Sequence, residues 1–301
     1  MSTATRHSGR HTLTARPCAI VVDGGAALAE DLDHGLAVVP QRILIDGEEF
    51  VDDGRTGAYA SFYRRLRKGH TTSTSTPAPG EYLDAFRRCD SDAIVCLTIP
   101  AIWSGMFDAA TLAASMLAGE EGRRRVTVLD TGTAAGGLGL VARLAADLSA
   151  AGRTSDEVLS AVQRACGEVR TYGALSTLTY VARSGRVPAL IAGISNSLHV
   201  RPVFRLFGGE TGRVALTRTT SGAVSALQRA AVEHLNGHPQ WLLVFHADAE
   251  ADAATLRDGL ASATTVARSE TVPLSPIAGA HTGPGTIGFA ALPLRGSTIQ
   301  G

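Results

Sequence analysis

The sequence predicts an α/β fold in two parts: an N-terminal domain on a mostly parallel sheet with flanking helices, and a C-terminal α+β domain with a mixed or antiparallel sheet. Three observations carry this. Short apolar runs alternate with helical patterns through the first half, as parallel strands joined by crossover helices require. Hairpin-like pairs mixed with helices fill the second half. The length, 301 residues with 45% apolar content, suffices for two cores. The boundary falls near residue 170, giving a disordered tail over 1–16, an α/β domain over 17–170 and an α+β domain over 171–296. The tail is rich in Ser, Thr, Arg and His and lacks the apolar stretch of a secretory signal.

In chain order, 18–22 is an apolar run that delivers Asp23-Gly24-Gly25 to a sheet edge. A helix is expected from about Leu28. Strands follow at 36–39 and 42–45, and Asp46-Gly47 is a hairpin turn that tolerates positive φ. Tyr59, Phe62, Tyr63 and Leu66 stand at helical spacing over 59–68, and Pro79-Gly80-Glu81 opens a helix carrying Tyr82, Leu83 and Phe86. Between these helices, composition alone makes the hydroxyl-rich segment 70–79 a flexible linker. A strand at 93–97 leads to a helix after Ser104-Gly105, and a strand at 126–129 leads to a helix over 137–150. A helix over 155–170 closes the first half. The second half has the segments 177–181 and 183–187, then a hairpin of 201–207 with 213–216 around Gly208-Gly209-Glu210. A helix over 222–235, a strand at 241–246, a helix to about 262 and strands around His281 complete it.

Composition excludes several functions. Twenty-eight basic and 28 acidic side chains cancel, so no nucleic acid or other polyanion is expected as a partner. Cys18, Cys89, Cys96 and Cys166 are scattered without a CxxC, as in a reduced cytoplasmic protein with no zinc site. His234 and His238 lack a third metal ligand. No apolar run approaches the roughly 18 residues that span a bilayer, so stable membrane insertion is not expected. Gly283 to Gly288 spells GxGxxG but precedes a strand-like 289–294 in place of a helix. The glycines of Gly137-Leu138-Gly139 read as close helix packing, because no acidic strand end follows about twenty residues later.

Ligands of parallel sheets collect beyond the strand C-termini. Four polar loops fall there: 23–25, the Thr/Ser segment, 103–105 and 130–132. Near the far end, His281 and Thr282 stand on a Gly-rich turn that bare backbone would let a ligand approach. On the residues alone each has a plainer reading: Ser104 as a helix cap, His281 as a structural histidine. A hydrolase pairing Ser104 with His281, oriented by Asp23 or Asp130, is a further reading, although the GxSxG elbow is missing.

Taken in order, the motifs carry more. Val39-Pro40 with Ile45-Asp46-Gly47, Thr74-Ser75-Thr76-Pro77, Trp103-Ser104-Gly105 and Val128-Leu129-Asp130-Thr131 stand in the first half. Leu178-Thr179-Tyr180-Val181 with Gly185-Arg186, Arg201-Pro202-Val203, Arg218-Thr219 and Ala280-His281-Thr282-Gly283-Pro284-Gly285 follow in the second. This series resembles the DegV-like fatty-acid-binding proteins, called FakB where they serve a fatty acid kinase. The resemblance implies a long-chain fatty acid enclosed in an apolar tunnel at the domain interface, its carboxylate held by Thr74, Ser104 and His281, with Ser75, Gly105 and Thr282 beside them. It implies a non-catalytic carrier without a cofactor, presenting the acid to a separate ATP-dependent kinase, with Arg186 and Arg218 as partner contacts and transient exchange with a membrane left open. A lipid-binding protein without a kinase partner is the alternative. The chain departs from the family where Gly24 replaces a Ser, where Pro100-Ala101 replaces a pair of Ser, and at Trp103 and Met106. These changes make the head-group pocket drier and put the ligand's identity in question.

Overall fold

The structure, a computed structural model, describes residues 16–28, 35–53, 55–185, 200–235 and 237–295. The tail, apart from Arg16, most of the helix expected from Leu28, and Arg186 lie outside these residues.

Four strands form a parallel sheet: β1 (Ala19–Asp23), β2 (Leu36–Val39), β6 (Ala93–Thr98) and β7 (Arg125–Asp130), in the order β2-β1-β6-β7. The apolar runs read from the sequence are these strands. Two helices, α2 (Pro79–Arg87) and α3 (Met106–Glu121), lie against this sheet, burying Tyr82, Phe86, Ala113 and Leu117 with Val21, Ile94 and Cys96. Between the two larger sheets lies α4 (Gly136–Ala150), buried on nearly every side, as an apolar helix without a polar face must be. Its Leu138, Val141 and Ala145 share one core with Ile20, Val22 and Val95 of the parallel sheet and with Leu243. Close packing explains its glycines: a Cβ on Gly139 would lie 2.2 Å from the Ala27 carbonyl oxygen. Behind it, α5 (Ser155–Glu168) is opened by Thr154, which accepts from the Glu157 amide while the Glu157 carboxylate accepts from the Thr154 amide.

The segments after β2 leave the parallel sheet. β3 (Gln41–Ile45) and β4 (Glu48–Asp52) form a hairpin across Asp46 and Gly47, whose φ values of 51° and 89° suit the tight turn expected there. A helix, α1 (Tyr59–Arg67), buries the aromatic face read from the sequence. The Thr/Ser segment is not a linker. Its residues Thr72–Thr74 are β5, paired to β3 with Ile43 opposite Thr74 and Ile45 opposite Thr72, and the Asp46 carboxylate accepts from the Thr71 amide and hydroxyl, both at 2.8 Å.

The later strands make a six-stranded mixed sheet: β8 (Arg170–Ala174), β9 (Arg201–Phe207), β10 (Glu210–Thr217), β11 (Gln240–His246), β12 (Val266–Pro273) and β13 (Ile287–Pro293), in the order β10-β9-β8-β13-β11-β12. Only β11 and β12 are parallel. The hairpin at 201–217 is as read, whereas 179–184 is a short helix, α6 (Thr179–Ser184). Two helices, α7 (Thr220–His234) and α8 (Glu250–Ala263), pack on this sheet through Ala223, Leu227, Leu256 and Leu260. His281 lies on a last short helix, α9 (Pro276–Thr282), and not among strands. No helix of the described residues is long and apolar enough to cross a membrane.

Candidate functional site

The cross-strand pairing of Thr74 with Ile43 turns both side chains to the same face of the small sheet. There Thr74 Oγ1 lies 3.2 Å from His281 Nε2, a contact between residues 207 positions apart. Two residues on, Thr76 Oγ1 lies 3.2 Å from Ser104 Oγ. Both pairs border one cavity of about 150 Å³, lined by Thr74, Ser75, Ser104, His281 and Thr282 among others. Thr74, Ser104 and His281 are half-buried, and Ser75 and Thr76 are exposed, so the polar groups form a rim. Deeper, the wall is mostly hydrocarbon and aromatic ring, Ile99, Leu175, Phe204, Leu206, Phe245 and Leu274, with the buried polar side chains of Gln41, Thr171 and Thr286 among them. Glycines make room for two of these rings. A Cβ on Gly173 would lie 2.5 Å from the Phe204 ring, and one on Gly288 2.4 Å from the Phe245 ring.

Gly105 stands beside the cavity as the N-cap residue of α3, and no side chain caps that helix, so Ser104 is not the cap its position suggested. The first amides of this 16-residue helix have no intrahelical acceptor, and its positive dipole end starts one residue from Ser104. Arg218 is exposed beyond the end of β10 and does not line the cavity.

The position of His281 is set by the start of α9. Ser275 caps that helix, accepting from the Ala278 amide at 3.4 Å, and its hydroxyl donates to the Gly24 carbonyl at 2.7 Å. The buried Asp52 carboxylate accepts from the Ile277 amide at 3.0 Å, and the Tyr63 hydroxyl donates to the Leu274 carbonyl at 2.9 Å. The glycines around His281 make room for this packing. A Cβ on Gly279 would lie 2.4 Å from the Tyr63 hydroxyl; one on Gly283, whose φ is 80°, would lie 2.2 Å from the Tyr180 ring. Thr282 lines the wall but donates its hydroxyl to the Ala278 carbonyl at 3.0 Å.

Two carboxylates organise the strand-end loops on the other side. Asp23 accepts from the Gly25 amide at 2.8 Å with one oxygen and from the Ile99 amide at 2.7 Å with the other. Burial pushes its pKa up to about 7; the two amides pull against that shift and the nearby Asp130 adds to it. Asp130 accepts from Gly132 and Ala101 amides, both at 2.9 Å. Both candidate orienters of a hydrolase thus hold backbone. Ser104 contacts Thr76, and Thr74 contacts His281; neither contact is the pairing that activates a serine. Among the described residues no group of three or more His, Cys, Asp or Glu could hold a metal ion.

A family profile described as an uncharacterised protein of the DegV family matches residues 17–294, nearly the whole chain. The chain belongs to the DegV family. A DegV domain-containing protein of Streptomyces coelicolor is 33% identical over 279 residues, 91% of this chain and 97% of that protein. A DegV family protein of Thermus thermophilus, described for its fatty-acid binding, superposes with a TM-score of 0.83 at 27% identity, covering 92% of this chain and 100% of the other. The fatty acid kinase B3 protein of Streptococcus pneumoniae, loaded with linoleic acid, shares the fold with a TM-score of 0.80 at 19% identity, covering 92% of this chain and 99% of its own.

Within this DegV fold, the departures read from the sequence have a structural setting. The 100–103 turn is closed by the Trp103 amide on the Pro100 carbonyl at 2.9 Å, and Trp103 and Met106 line the cavity. At Gly24, a Cβ would lie 3.2 Å from the carboxamide of Gln41, which fills that side. Sequence reasoning passed over Gln41, although it shares a buried face with Ile43 and Ile45 at strand spacing.

Proposed function

We propose that this chain binds one long-chain fatty acid, with its carboxylate at the rim formed by Thr74, Ser104 and His281 and its acyl chain in the apolar cavity. The observation that carries this is the division of one cavity into a hydroxyl and imidazole rim and a largely hydrocarbon interior. Each rim pair can leave one hydrogen for the ligand. In the tautomer with hydrogen on Nε2, His281 donates to Thr74, whose own hydroxyl hydrogen is then free; of Thr76 and Ser104 one donates to the other and keeps its partner's hydrogen free. Two such donors serve the two oxygens of a carboxylate without the grip of a buried Arg fork, so release stays accessible. Ser75 and the α3 terminus at Gly105 lie beside them, and Thr282 contributes wall. An acyl chain of roughly 15 methylenes gains about 12 kcal/mol gross on leaving water, before the cost of ordering it.

Residues from both halves of the chain line the cavity. The fatty acid binding described for the Thermus thermophilus relative supports the same ligand class here. A half-buried rim leaves the carboxylate within reach of a second protein, which supports the carrier reading: a non-catalytic, cytoplasmic subunit with no cofactor whose acid is phosphorylated by an ATP-dependent kinase. Exposed Arg218 is available to such a partner. Native mass spectrometry of protein purified from cells should show a mass increment of one fatty acid. Protein that stays empty after incubation with acids of 14 to about 18 carbons, lengths set near that of the chain considered above, would overturn the reading. Hydrolysis of a model ester that depends on Ser104 would favour an enzyme.

A further inference from the structure

We infer that Gln41 reads a hydroxyl group near the carboxyl end of the bound acid, so that the favoured ligand is a 2- or 3-hydroxy fatty acid; this rests on the fatty-acid reading above. Gln41 is fully buried and lines the cavity. Its Nε2 donates only to a thioether, Met106 Sδ at 3.6 Å, and its Oε1 has no partner among the described residues. A buried carboxamide with an orphaned oxygen is destabilising unless something in the cavity completes it.

The chemistry of the missing partner follows from the amide. An ionised carboxylate offers acceptors only, so it can serve the nitrogen but never the oxygen. A hydroxyl both donates and accepts, and so serves the carboxamide whichever way its oxygen and nitrogen are assigned. The position is set by β3. Gln41 stands two positions from Ile43, the partner of Thr74, about 6–7 Å along the strand. A hydroxyl on the second or third carbon of an acid whose carboxyl sits at Thr74 covers that span with one hydrogen bond of about 2.8 Å. Gly24 and Met106 shape the niche. A Cβ at Gly24 would come within 3.2 Å of the carboxamide, and the Met106 sulfur holds its other end.

The test is competition. Lipid-stripped full-length protein is offered an equal mixture of hexadecanoic and 3-hydroxyhexadecanoic acids, with a parallel 2-hydroxy arm, and the retained acid is read by native mass spectrometry. Wild type should retain one of the hydroxy acids over the plain acid by about tenfold. Gln41→Met, similar in length but without the amide, should lose that preference. Equal retention by wild type in both arms overturns the inference while leaving the fatty-acid reading intact, as does a preference that survives in Gln41→Met. Failure of wild type to load any of the acids overturns both together. The wild-type competition decides the matter even if the variant does not fold.

Discussion

Replacing Ser275 by Ala tests whether the start of α9 governs both stability and the site. The hydroxyl has two roles, accepting from the Ala278 amide and donating to the Gly24 carbonyl, and it is 4% exposed. Loss of a helix cap costs about 1 kcal/mol. A buried carbonyl deprived of its donor adds about 1–3 kcal/mol. The sum, roughly 2–4 kcal/mol, should lower the urea midpoint with the slope of the transition unchanged. Because the same helix carries His281, retention of the acid should fall in parallel. A loss of stability below about 0.5 kcal/mol, the range of an ordinary surface substitution, would refute the reasoning, since the two hydrogen bonds would then be replaceable by solvent.

Three further outcomes are expected. Thr74→Val and His281→Ala should each weaken acid retention about tenfold, and the double variant by less than the product, because the pair is in contact; full additivity in a titration by mass spectrometry would show that they act apart. Gly173→Ala should displace the Phe204 ring toward the cavity and shift the retained acids to shorter chains, an effect read from extracted lipids and absent if that ring does not bound the acyl chain. Asp23, raised from 3.8 to about 7 by burial, contributes stability that is fully present below about pH 4 and is lost as pH rises toward 7, since the unfolded chain releases its proton first. The stability of wild type relative to Asp23→Asn should therefore fall over that window, by at most about 1.4 kcal/mol per pH unit, and a flat difference in urea titrations would contradict the shift.

The parallel sheet was legible because its strands are short runs dominated by apolar residues that alternate with helical patterns. β8 was not, because Arg170-Thr171-Tyr172-Gly173-Ala174 has neither the apolar density nor the alternation of a strand and follows directly on a helix. The Thr/Ser segment misled on composition: its polarity suits a linker, but β-branched Thr also suits a pleated edge, and Asp46 decides the matter from 25 residues away. At the site, the resemblance gathered Thr74, Ser104 and His281 on one cavity. It could not supply their partners, since the pairing of Thr76 with Ser104 depends on where β5 ends. The packing role of the Gly-rich turn was not legible because the tyrosines that need its glycines, Tyr63 and Tyr180, are distant in sequence. Ser275-Pro276, a cap followed by proline, was the available sign that a helix begins there.

The place of β13 has a consequence for how the protein is made. Among the described residues it follows every other strand in chain order, yet it is an inner strand, pairing with β8 on one side and β11 on the other. Until it arrives, the six-stranded sheet exists as two separate pieces, β10-β9-β8 and β11-β12. On a ribosome that releases the chain from its N-terminus, the sheet behind the cavity closes only after residue 293 has emerged. Only then do β9 with Phe204 and β11 with Phe245, two rings that wall the cavity, belong to one sheet, so the cavity takes its shape late in synthesis.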